Sequence, residues 1–134
     1  MEMTRLYPGF DEASYQLGII DAFCEMVRAG VKDLALSHPL APEDFERLEK
    51  ASNAIAERYG VLCLVERDFI PTDLAPAEAV AGKVVILFYR DDRVIAAYGS
   101  LKAEVARLKA AGSYTSEARR DITGKLGALL GHPR

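Results

Sequence analysis

The chain has 134 residues, 50% of them apolar, and a formal net charge of −3. That is one domain's length with an ordinary globular composition, which excludes a disordered chain. No stretch reaches the roughly 20 apolar residues of a membrane span, and the acidic balance argues against nucleic acid as a partner.

Met1-Glu2-Met3-Thr4-Arg5 lacks the basic-then-apolar layout of a signal peptide, so a cytoplasmic location is expected. Charge is unevenly placed. Residues 1–97 hold 10 Lys/Arg against 17 Asp/Glu (−7), and residues 98–134 hold 7 against 3 (+4). Such a split suits an ordinary solvated helical face, a basic tail for an anionic partner, or self-association. Cys24 and Cys63 lie inside apolar segments, without a CxxC pair or zinc-finger spacing, and read as buried thiols rather than redox groups.

In chain order, Pro8-Gly9 signals a turn. Residues 11–29 read as a helix, with Asp11 and Glu12 at its start and Gly30 at its end. Ser14, Gly18, Asp21, Glu25 and Arg28 form one thin polar stripe, and the rest of the circumference is apolar. A helix of that kind is expected to be central or to lie in a subunit interface. Val31–Ser37 has the composition of a short buried strand. Pro42-Glu43-Asp44 starts a second helix, whose stripe of Phe45, Leu48, Ala51, Ser52, Ile55 and Tyr59 runs to Gly60.

Val61–Glu66 reads as a second strand and Lys83–Tyr89 as a third. Between them, Asp68–Gly82 is interrupted by Pro71 and Pro76, with one helical turn at Pro76-Ala77-Glu78-Ala79. After Arg90-Asp91-Asp92 two readings stand. Val94, Tyr98, Leu101, Val105 and Leu108 follow the 4-3-4-3 spacing of one long helix ending near Gly112. Alternatively Asp91-Asp92 turns and Arg93–Tyr98 returns as an antiparallel strand. Gly99 is the mark against the helix, at about 1 kcal/mol. Ser113-Tyr114-Thr115-Ser116 is rich in N-cap residues and opens a last helix to about Leu130.

Unbroken apolar strands separated by a helix predict right-handed crossovers. The expected fold is therefore α/β. It is a single domain over residues 1–134, with a small three-stranded parallel sheet of order 2-1-3 flanked by helices. A C-terminal helical hairpin spans about residues 92–131. The alternation resembles that of doubly wound, Rossmann-like nucleotide-binding folds in pattern only. The strand-to-helix turn is Ser-His-Pro rather than GxGxxG, and no Walker pattern occurs.

In a parallel sheet the strand C-termini share one rim, where ligands bind. That expectation places Ser37, His38, Glu66, Arg67, Tyr89 and Arg90 around one crevice. Arg67 and Arg90 would hold a small anionic ligand, and His38 would serve as acid or base. Ser37 and His38 do not form a nucleophile–base pair, because adjacent residues of an extended chain point apart. Asp21 and Glu25, one helical turn apart, are spaced to share a cation, with His38 to complete the set, or simply to form part of a solvated stripe. No metal or cofactor is assigned. The competing expectation is a homo-oligomeric interaction protein without chemistry of its own, whose first helix and C-terminal hairpin form the contact.

Overall fold

The structure, a computed structural model, describes residues 11–132, so the turn expected at Pro8-Gly9 lies outside the described residues. Helix α1 spans Glu12–Arg28, strand β1 Leu34–Leu36, helix α2 Pro42–Tyr59 and strand β2 Leu62–Glu66. A single helical turn, α3 (Ala77–Val80), precedes strand β3 (Val85–Tyr89), and the chain closes with α4 (Asp92–Ala110) and α5 (Ser116–Leu129).

Local chemistry sets these boundaries. The Asp11 carboxylate caps α1 by accepting from the Ala13 N–H at 3.1 Å, and Asp91 caps α4 through the Arg93 N–H at 2.9 Å. Pro42 opens α2 at its first turn, and Gly60, at φ 68°, closes it in the left-handed conformation that glycine adopts without strain. Residues 92–110 form one helix through Gly99, so the 4-3-4-3 spacing prevails over the antiparallel return.

The sheet overturns the expected topology. It is antiparallel, in the order β1-β3-β2, not parallel in the order 2-1-3. Leu34 pairs with Tyr89 and Leu36 with Leu87 on one side of β3; Leu62 pairs with Tyr89 and Glu66 with Val85 on the other. β1 and β2 do run the same way, joined by α2, but β3 is inserted between them in the opposite sense.

The reason lies in the connection from β2 to β3. A parallel return needs a crossover of a dozen or more residues, usually helical. This connection carries two prolines and one four-residue helix, and it folds back locally. The apolar runs were a sign of coverage, not of direction. One face of the sheet packs Ala35, Val84, Ile86 and Phe88 against Ile20, Cys24 and Val27 of α1 and Phe45, Leu48 and Ala56 of α2. The other packs Leu34, Val85 and Leu87 against Tyr98, Leu101 and Val105 of α4 and Ile122 and Leu126 of α5. With helices on both faces, β3 has no solvated side, so all five of its residues are buried or half-buried and its sequence cannot alternate.

Candidate functional site

The six residues expected to line one crevice lie at different places, because antiparallel pairing sends the end of β3 the opposite way. Tyr89 pairs with Leu34 and Leu62, at the end of the sheet where β1 and β2 begin. Arg90, one residue on, donates to the Arg28 carbonyl at the end of α1. Ser37, His38, Glu66 and Arg67 lie at the other end, at the exits of β1 and β2. Even these are divided, since β3 stands between the two strands and sets them roughly 10 Å apart.

Ser37 is a structural residue. The register slips by one between the Leu36–Leu87 pair and the Leu40–Val84 bridge. At that bulge the Ser37 hydroxyl accepts from the Ile86 N–H and donates to the His38 carbonyl, each at 2.9 Å. It is buried and does not face a ligand space.

Glu66 is buried on the α4 side of the sheet. Its carboxylate accepts from the Tyr98 hydroxyl at 2.9 Å, from the Lys102 ammonium at 2.8 Å and from the Asp68 N–H at 3.0 Å. Burial alone would raise its pKa, but the bonds from Lys102, Asp68 and Tyr98 together outweigh it and hold the carboxyl below its ordinary value. The same burial, with the bond to Glu66, pushes the Tyr98 hydroxyl far above the usual tyrosine range. Arg67 leaves by the opposite face and lies 5.3 Å from the centre of the Phe45 ring.

His38 is exposed, edge-on to the Tyr15 ring at 6.5 Å. It borders a groove of about 820 Å³ between the start of α1 and the start of α2. Asp11, Glu12, Glu43 and Asp44 line this groove against Arg47 and Lys83, four carboxylates to two cations. The positive end of the α2 dipole is already answered by Glu43 and Asp44 in its first turn. The groove's own charge therefore repels an anion.

The paired carboxylates of α1 have a different use. Asp21 accepts from the Tyr59 hydroxyl at 2.6 Å and from the Arg58 guanidinium, tying α1 to the end of α2. The Tyr59 bond is the main cause of a raised pKa at that tyrosine. Among the described residues, no group of three or more His, Cys, Asp or Glu is gathered as a metal ion would require. Burial pushes the Cys24 thiol up to about 12 and the Cys63 thiol up to about 11, so neither is a ready thiolate.

The feature that sequence reasoning missed is the open edge of β2. Among the described residues β2 pairs with β3 alone, and its outer side has no strand partner. Leu62 is 50% exposed, and Leu64 and Val65 are each 38% exposed. Strand β1, at the other edge, is three residues long with Leu34 and Ala35 fully buried. The two edges of one sheet are thus finished differently. A signal existed: Leu62-Cys63-Leu64-Val65 carries no Lys or Pro of the kind that guards an exposed edge, and the strand's one charge, Glu66, stands at its exit.

Comparison with known proteins finds no matching family model, no matching curated protein and no matching solved structure. Among the described residues no helix is long and apolar enough to cross a membrane.

Proposed function

We propose that this chain is a homo-oligomeric interaction protein whose copies associate through exposed apolar surface centred on β2. The observation that carries the reading is the exposure of Leu62, Leu64 and Val65 on an unpaired edge strand. A strand that shows leucines and valine on both its faces, beside a row of free backbone donors and acceptors, is a template for another strand.

The surfaces expected from sequence contribute less. Tyr15 and Met26 on α1 are 37% and 39% exposed, but Ile19 and Phe23 between them are half-buried. The Lys32 ammonium lies 4.6 Å over the Phe23 ring and covers part of that face. In the C-terminal pair, Tyr98, Leu101, Val105, Ile122 and Leu126 all turn into the chain's own core. The faces of α4 and α5 left to solvent carry Arg93, Arg107, Lys109, Glu117, Arg120 and Asp121.

Mass measured by light scattering over a range of concentrations tests the reading. The expected result is a rise from monomer to a discrete oligomer at or below about 100 μM, corresponding to at least roughly 5 kcal/mol of association. A monomer at about 1 mM contradicts it.

A further inference from the structure

The backbone of β2 specifies how such copies would meet. Leu40 and Val84 exchange N–H···O bonds, the Ser37 N–H bonds the Ile86 carbonyl, and the Ile86 N–H bonds the Ser37 hydroxyl. Val84 and Ile86 therefore direct their main-chain groups toward β1. By the alternation of a strand, Val85, Leu87 and Tyr89 direct theirs toward β2, where their partners are Glu66, Leu64 and Leu62. What remains on β2 are the N–H and C=O groups of Cys63 and Val65, and these face outward.

The geometry points to a two-fold dimer in which β2 pairs antiparallel with β2 of a second copy, the axis passing beside Leu64. This rests on the self-association proposed above and goes further in giving the surface, the partner strand and the register. A two-fold axis normal to a sheet keeps each side chain on its own face, so a residue must oppose its own copy. Centring on Leu64 uses the whole strand: Leu64 meets Leu64, Cys63 meets Val65, and Leu62 meets Glu66. Cys63 and Val65 are the two residues with free outward groups, and each Cys63–Val65 pairing exchanges two hydrogen bonds. Leu64 then falls at a non-hydrogen-bonded position, where cross-strand side chains come closest.

Both faces of the joint suit this arrangement. On the α4 side, Leu62 and Leu64 of each copy form one patch from the residues now 50% and 38% exposed. On the α2 side, Val65 covers Cys63 of the other copy. One position beyond, Arg67 stands opposite Val61, beside the C-terminal end of the other copy's α2. That helix end carries partial negative charge, and its last turn holds Glu57 together with Arg58, which is ion-paired to Asp21, so the helix dipole favours a guanidinium there. A second copy fits this edge because in the Leu64-centred register the exposed Leu62 and Leu64 gather with the same residues of the partner, and Cys63 and Val65, which carry the outward main-chain groups, meet each other.

Two variants test the pairing on the full chain. Leu64→Cys in a Cys63→Ala background leaves Cys24 as the only other thiol, and Cys24 is 0% exposed. Opposed Cα atoms of about 4.5 Å fall within disulfide reach, so mild oxidation is expected to link two copies through the introduced thiol alone. Val65→Pro removes an outward N–H without touching the β2–β3 ladder. It is expected to weaken association at least about tenfold with the circular dichroism spectrum unchanged; Leu64→Lys serves the same purpose should the proline variant not fold. A monomeric wild type overturns both the self-association and the pairing. An oligomer that forms no such disulfide, and that the Val65→Pro or Leu64→Lys variant leaves intact, overturns the pairing while self-association stands.

Discussion

Glu66 shows how one residue's surroundings fix its part in the molecule. A carboxylate at a strand exit reads as a ligand contact until its neighbours are known. Here Tyr98, Lys102 and the Asp68 N–H occupy it fully and make it a clasp between β2 and α4. Its depressed pKa gives a definite linkage. The folded form binds a proton less readily than the unfolded chain, so the stabilisation is fully present above an unfolded value of about 4.3 and is lost as pH falls through the folded value. Glu66→Gln is expected to lower stability at pH 7 by about 1–3 kcal/mol. In urea titrations the gap between wild type and variant should close as pH drops below about 4. A gap that stays constant over roughly pH 3–7 contradicts the role. The partners of Glu66 were not legible in the sequence, because Tyr98 and Lys102 are 32 and 36 positions away and meet it only once α4 lies over the sheet.

At the scale of elements, much was legible and one error had a single cause. The Asp11 cap, the Pro42 start, the Gly60 stop and the 4-3-4-3 stripe of α4 are local signals that act through local hydrogen bonding and burial, and the helices follow them. Strand direction is not local. The runs at residues 83–89 and 31–37 record that helices cover both faces, which holds for an antiparallel sheet as well as for a parallel one. The irregular, proline-broken segment before β3 was the readable sign that no crossover helix intervenes. β2 is the converse case: its apolar run resembles that of β3, yet Leu62, Leu64 and Val65 are exposed, since composition does not tell an edge strand from a central one. Gly99 tests the account of α4. It is exposed within the helix, and an added Cβ would meet nothing within 4 Å. Gly99→Ala is therefore expected to stabilise the fold by about 0.5–1 kcal/mol, read as a higher urea midpoint at unchanged slope. A lower midpoint would mean that the glycine serves a contact outside the monomer.

For the whole molecule, the antiparallel sheet moves attention from a rim to an edge. A parallel sheet would gather three turns into one crevice; this one divides them between two ends and two faces. In exchange it leaves β2 as a longer margin with Leu62, Leu64 and Val65 exposed, while β1 is short and buried. Joining two such margins would give a continuous six-stranded sheet with helices on both faces and only the short β1 strands at its borders. The most direct measurement is amide hydrogen exchange at the five β2 residues as protein concentration is raised. The account predicts that Leu62, Leu64 and Glu66, already bonded to β3, keep the same protection, while Cys63 and Val65 pass from fast exchange to slow. Fast exchange at Cys63 and Val65 at every concentration, or slowing that spares them and appears elsewhere, would contradict it.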